Sequence, residues 1–175
     1  ARSMPRVEVL EDRVNPSSVD LGFTLGLGGI GSDVGHAIAS DDAGNVYVTG
    51  WFSGTVDFDP GPAAFNLTSA GSDDIFVAKY TSTGALVWAR SIGGSSEDVG
   101  YGIAVDGSGN VYTTGTFLGT ADFDPGAETH VLTSSGNRDI FVSKLDSAGN
   151  FAWARAIGGS SDDYGYGIAV DGLGN

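Results

Sequence analysis

The sequence predicts an all-β fold built from a repeated four-stranded unit, and three observations carry that expectation. The first is internal repetition: Gly28 to Ile92 is written again, without insertion or deletion, from Gly93 to Ile157, and 37 of the 65 aligned positions are identical. Self-similarity at a fixed period of this size marks a repeat architecture. The second is the lack of any window with apolar residues at helical spacing over three turns, in a chain where 29 of 175 residues are the helix-weakening glycine. The third is punctuation: each unit divides into short β-branched and aromatic runs separated by Gly, Asp, Asn and Ser clusters, as strands joined by hairpin turns require.

Taken in order, residues 1–20 form a leader unlike the repeat, expected to be disordered, with Met4 and the arginines Arg2, Arg6 and Arg13. Residues 21–27 align with the last strand of a unit, Phe23 standing where Trp88 and Trp153 stand. Repeat 1 covers 28–92, repeat 2 covers 93–157, and a third repeat starts at 158 and runs to Asn175. Within a unit, strand A is Gly35 to Asp41 and Gly100 to Asp106. The turn Asp106-Gly107-Ser108-Gly109-Asn110 holds residues that tolerate the positive φ of a tight hairpin. Strand B is Asn45 to Phe52 and Asn110 to Phe117; strand C is Asp74 to Tyr80 and Asp139 to Leu145; strand D is Ala85 to Ile92 and Asn150 to Ile157. The insert between B and C holds a further short strand at Phe65 to Ser69 and Val131 to Ser135.

Four antiparallel strands per unit, repeated radially, is the pattern of a β-propeller, which closes with about 4 to 8 blades. Two units and part of a third then form an incomplete arc of a larger ring, with open sheet edges that would pair with further blades of the same chain or with other chains. The motifs are Asp-x-x-Gly-Asn-Val-Tyr-x-Thr-Gly (41–50, 106–115), Asp-Ile-Phe-Val-x-Lys (74–79, 139–144), Gly-x-x-x-Trp-Ala-Arg-x-Ile-Gly-Gly (84–94, 149–159) and Asp-x-Gly-x-x-Ile-Ala-x-Asp (33–41, 98–106, 163–171). Together they resemble the bacterial SBBP (beta-propeller) repeat over roughly residues 21 to 175. Separately, Leu10-Glu11-Asp12-Arg13-Val14-Asn15-Pro16-Ser17 is similar to the leader of many large exported bacterial repeat proteins. That resemblance implies an exported, extracellular or cell-surface bacterial protein.

Composition narrows the function classes. The formal net charge is −14, from 22 acidic and 8 basic residues, which repels nucleic-acid phosphates and anionic membranes. The absence of cysteine removes disulfides and thiolate metal sites. No apolar run approaches the roughly 20 residues that span a bilayer as a helix. No Gly-x-Ser-x-Gly elbow is present, and the two histidines, His36 and His130, fall at non-equivalent repeat positions.

In an antiparallel blade the B to C and D to A connections share one end, so that end collects the acidic loops. Asp57 and Asp59, with Asp122 and Asp124, belong to Asp-Phe-Asp-Pro-Gly; Glu97, Asp98, Asp162 and Asp163 belong to the D to A connections. Hard cations take oxygens from such carboxylates, which makes calcium the candidate cofactor and these eight residues its candidate ligands. The competing reading is that Asp57 and Asp59 cap a turn at Pro60-Gly61 by accepting backbone N–H groups. Trp88 and Trp153 are expected to pack between blades rather than stack on sugars. Lys79, Lys144, Arg90 and Arg155 are expected to pair with acidic neighbours.

The expected function is a non-enzymatic propeller module acting as a scaffold for protein or glycan binding, possessing no catalytic residues. Near-identical units spread the same groups round a ring, whereas an enzyme needs one asymmetric constellation. The alternatives are a propeller polysaccharide hydrolase or lyase, or a structural spacer.

Overall fold

The computed structural model describes residues 26–175; the leader and all of the 21–27 strand except Gly26 and Leu27 lie outside the described residues. Within it the chain is all β: β1 (Gly28–Gly29), β2 (Asp33–Ser40), β3 (Val46–Asp57), β4 (Asn66–Tyr80), β5 (Leu86–Gly94), β6 (Asp98–Val105), β7 (Val111–Asp122), β8 (Val131–Leu145) and β9 (Phe151–Ile157). Two four-stranded antiparallel blades result, β2-β3-β4-β5 and β6-β7-β8-β9. They are joined where Gly93 and Gly94, at the end of β5, pair with Asp122 and Ala121 of β7. Gly28 and Gly29 make the same pairing with Asp57 and Val56, one unit earlier. The sheet is open, as an incomplete arc of blades should be.

The turns explain the glycines at fixed positions. Gly44, Gly109 and Gly174 in the A to B turns, and Gly84 and Gly149 in the C to D turns, all have φ between +78° and +87°. L side chains rarely adopt that region, whereas glycine does so freely. An aspartate opens each A to B turn. Asp41 Oδ1 accepts the N–H groups of Ala43 and Asn45, while its Oδ2 accepts Asn45 Nδ2 and the Tyr47 hydroxyl. Asp106 repeats the arrangement with Ser108, Asn110 and Tyr112.

The extra short strand expected in the insert does not exist as a separate element. Phe65 to Ser69 and Val131 to Ser135 fall almost wholly within the 15-residue strands β4 and β8, only Phe65 lying just before β4. The register slips between Ser53 and Thr55, so that Gly54 faces a four-residue excursion, Ser69 to Ser72, and the ladder then resumes. Gly54 (φ +72°) and Gly119 (φ +71°) absorb the bend, and Gly54 N–H is satisfied by Ser69 Oγ at 2.9 Å. A bulge therefore replaces the turn that the Gly- and Ser-rich excursion resembled in sequence.

Packing is between blades. Along β4, Ile75 and Val77 point into one cluster with Tyr47, Trp88, Ile92 and, from blade 2, Val111, Phe117, Phe141 and Leu145. Phe76, Ala78 and Tyr80 point the opposite way, into a cluster with Phe52, Val56 and Phe58. The period of two thus buries both faces of the strand, which is why Ile75-Phe76-Val77-Ala78 reads as a continuous apolar run.

Trp88 is 5% exposed, its indole N–H donating to Ser147 O of the next blade at 3.2 Å. That is the expected interblade role. Arg90 departs from expectation: among the described residues its guanidinium meets no carboxylate and instead donates to the carbonyls of Ala148 and Gly149 in the turn of blade 2. The two turn carbonyls lie outside the strand ladder, and an arginine fork one blade away donates to both. Lys79 and Lys144 lie over the rings of Tyr47 and Tyr112, at 5.0 and 4.8 Å.

Candidate functional site

Each carboxylate of Asp-Phe-Asp-Pro-Gly is engaged by the backbone. Asp57 Oδ1 accepts the N–H groups of Asp59 (3.0 Å) and Phe65 (2.8 Å), and Asp59 Oδ1 accepts that of Gly61 (2.8 Å). Asp122 and Asp124 repeat this with Asp124, His130 and Gly126. These are turn-capping bonds, which close the loop between β3 and β4 and between β7 and β8. The eight acidic candidates do not converge. Glu97 pairs with Arg138 at 2.8 Å, Asp162 Oδ1 accepts the Arg138 backbone N–H, and Asp163 Oδ2 accepts that of Gly159. Asp98 is wholly buried and accepts the N–H groups of Gly94 (2.8 Å) and Leu118 (3.2 Å). Among the described residues no three His, Cys, Asp or Glu side chains are grouped as metal ligands.

A different set of residues forms an accessible surface. The A strands β2 and β6 approach each other side by side, and each carries one bulge. On β2 the register slips between Gly35 and Ala37, and on β6 between Gly100 and Gly102. The unpaired residues are His36 and Tyr101, and a bulge turns its extra side chain out of the ladder. Their rings meet at 5.0 Å between centroids, and Tyr101 meets Tyr166 of the third unit at 5.2 Å. Tyr164 stacks on Tyr166 at 5.9 Å, with only 8° between planes. These four rings form a ladder crossing two junctions, and Tyr166 is 70% exposed. Burial, then the neighbouring phenols, push the Tyr101 hydroxyl above its ordinary pKa, so it stays protonated and able to donate.

Close strand approach makes the bulges. A Cβ on Gly50 or Gly115 would run into the carbonyl of Val34 or Val99, so the pairing positions just before the bulges require glycine. The sequence reading set the histidines aside as non-equivalent, yet 36, 101 and 166 are one repeat position, aromatic in all three copies. That recurrence was the available signal. The buried Asp74 and Asp139 on the C strands were also passed over, being read only as the first residues of strands.

Comparison with known proteins agrees with this geometry. Residues 22–51, 87–116 and 152–175 match the family model described as SBBP, beta-propeller repeat. The matched segments are similar to beta-propeller repeats. The second match runs from β5 through β6 into β7, the first ends in β3, and the third runs from β9 to Asn175, so the matched segment spans the junction between one blade and the next. Among curated proteins, the regulatory protein FlaEY of Caulobacter vibrioides is 30% identical over 142 residues, covering 81% of this chain and 14% of that protein. An uncharacterised WD repeat-containing protein, L264, of Acanthamoeba polyphaga mimivirus is 29% identical over 126 residues, 67% of this chain and 9% of its own length. The chain thus spans less than a sixth of either relative.

Proposed function

We propose that this chain is a non-enzymatic propeller module, part of an exported bacterial protein, whose inner strands bind glycan. The observation that carries the reading is the ladder His36, Tyr101, Tyr166 and Tyr164: the first three share one repeat position, bulges set out His36 and Tyr101, and Tyr164 stacks on the end. Flat, accessible rings in series suit the apolar faces of successive sugar units, and their polar edges suit hydroxyl groups. Glu97, close enough to influence Tyr101, adds an acceptor at the edge of the ladder. A peptide ligand is the second outcome open to the same surface. The carboxyl of Asp98, pushed up to about 7 chiefly by burial, lies away from solvent, which favours binding over acid catalysis.

The open blade faces are read as seats for further blades or for a second copy. Tyr112, Ile140, Val142, Trp153 and Ile157 repeat, residue for residue, the face Tyr47, Ile75, Val77, Trp88 and Ile92 that is buried against blade 2.

The test is affinity electrophoresis through gels containing soluble β-glucan, xylan or glycol chitin, with Tyr101→Ala and Tyr166→Ala as variants. Retardation of the wild type in at least one gel, reduced at least several-fold in both variants at unchanged melting temperature, is the expected result. Equal mobility of wild type and variants in every gel would overturn the glycan reading.

A further inference from the structure

At the junction of the two blades, β4 and β6 bring two carboxyl groups together inside the protein. Asp74 is 2% exposed and Asp98 wholly buried. Asp74 Oδ2 accepts the Ala70 N–H (2.9 Å) and the Ser91 hydroxyl (3.2 Å), but its buried Oδ1 has no partner. Gly93 lies between the two: a methyl group there would fall 2.7 Å from Asp74 Oδ1 and 3.0 Å from Asp98 Oδ2. The nearby charged side chains only deepen the negative field, since Asp73 and Glu97 flank the pair and the guanidinium of Arg138 is spent on Glu97. Among the described residues the ion pairs are Arg138 with Glu97 and Lys144 with Asp106, so no cationic side chain reaches either carboxylate.

The orphaned oxygen is not a local accident. Four buried side-chain polar atoms lack a partner among the described residues, and three are oxygens of this construction: Asp74 Oδ1, Asp139 Oδ1 and Asp33 Oδ1. Asp139 is Asp74 one unit later, and Asp33 is Asp98 one unit earlier. Asp33, Asp98 and Asp163 each hold the N–H of the glycine four residues before them, at 2.8 to 2.9 Å. A glycine, Gly158, again lies against Asp139 Oδ1, at 2.5 Å for an added methyl. Buried polar atoms are almost always satisfied, so an acceptor left empty at the same place in successive units calls for a positively charged partner.

We propose that the blade junction is a site for a hard divalent cation of the calcium type, shared by Asp74 Oδ1 and Asp98, with Asp139 and Asp163 as its counterpart one unit on. Carboxylate oxygens are the ligands such ions choose, at about 2.4 Å, and carbonyls and water complete the shell. The ion neutralises a pair that no side chain neutralises, and because its ligands come from two blades it fastens one to the next. This is separate from what the aromatic ladder binds, and from the turn caps Asp57 and Asp59.

The experiment is thermal unfolding of the 175-residue chain in chelator and in millimolar calcium, for the wild type, for Asp74→Asn and for the double variant Asp57→Asn, Asp59→Asn. A ligand held only by the native state raises the melting temperature by mass action. The expected result is a rise of several degrees, reversed by chelator, in the wild type and the double variant and absent in Asp74→Asn. The proposal is overturned by no rise in the wild type, by a rise that persists in Asp74→Asn, by loss of the rise in the double variant, or by stabilisation that comes from acid alone. Should Asp74→Asn not fold, calorimetric titration of wild type and double variant with calcium decides: heat of binding with similar affinity in both supports the site, and none in either sinks it.

Discussion

Trp88 and Trp153 occupy one repeat position, and comparing their truncation isolates what a neighbouring blade contributes. Trp88 is 5% exposed, meets Tyr47 edge-on at 6.4 Å, and its ring is covered by the turn of blade 2, where Gly149 presses on it and Ser147 accepts its N–H. Trp153 keeps the equivalent contact with Tyr112, at 6.3 Å, but lies half-buried on the open face of blade 2. Truncating a fully packed tryptophan costs about 3 to 5 kcal/mol. At the open site only part of the ring leaves a protein environment, and about 1 to 2 kcal/mol is expected from the smaller apolar area, at roughly 25 cal/mol per Å². At about 2 to 4 °C per kcal/mol for a chain of this size, Trp88→Ala should lower the melting temperature by roughly 10 °C and Trp153→Ala by about 4 °C. Urea titration of both variants, with m-values compared to exclude a change in the unfolded state, gives the difference. Equal losses would refute the argument, because they would place the stability of the arc inside each blade and not at the junction.

Three further outcomes follow from particular groups. In chelator, burial above all, with the charge of Asp74 adding, pushes the carboxyl of Asp98 up to about 7, so it binds its proton more tightly folded than unfolded. The stability it contributes is complete below about pH 4 and lost as pH rises through 7, on the order of 4 kcal/mol, and chemical denaturation at pH 5 and pH 8 should show a slope that Asp98→Asn flattens. Asp41, Asp106 and Asp146 behave in the opposite sense: burial works to raise them, but hydrogen bonds from their turns outweigh it and hold each below the ordinary carboxylate value. Their stability is present above about pH 4 and lost as pH falls below it, so the metal-free chain should be most stable between about pH 4 and 6; a maximum at pH 8 would contradict both assignments. At Gly54 an added methyl meets nothing within 4 Å, so Gly54→Ala should register backbone strain alone, about 1 kcal/mol, whereas Gly50→Ala must displace the Val34 carbonyl and should lose several times more in the same urea assay.

Much of this architecture was legible because the repeat supplies its own alignment. The step of 65 residues, the four strands and the positive-φ turn glycines come directly from composition and period. The bulge opposite Gly54 was not legible, since Ser69-Ala70-Gly71-Ser72 reads as a break between two strands, and only the resumed pairing of Thr55 with Thr68 shows one strand bent in place. Arg90 was misread for a similar reason: charge suggests a carboxylate partner, while its real acceptors, the carbonyls of Ala148 and Gly149, are invisible in side-chain chemistry. Among the acidic candidates, sequence places Asp57, Asp59, Glu97 and Asp98 in the connections at one end of the blade, whereas Asp57 ends β3, Asp98 opens β6, and burial divides the four. Asp98 is interior, Glu97 pairs at the surface, and Asp57 and Asp59 bind backbone.

The distribution of identity between the copies has a physical order that bears on selectivity. Several positions that are the same in both units belong to the blade junction: Tyr47 and Tyr112, Trp88 and Trp153, Asp74 and Asp139, and Asp33, Asp98 and Asp163. A change at any one of them must fit a partner fixed by the repeat itself, so junction chemistry is held constant round the arc. Some of the positions that differ lie at a bulge or a loop mouth. His36 gives way to Tyr101 and Tyr166 at the bulge of strand A, Ser53 to Leu118 beside the bulge of strand B, and Phe65 to His130 at the mouth of the insert. An exchange there leaves the packing between blades untouched while altering ring, charge or hydrogen-bonding capacity at the surface. Ligand choice can therefore drift blade by blade on a scaffold whose stability does not, and exchanging His36 for tyrosine should change what the inner strands bind far more than it changes how firmly they fold.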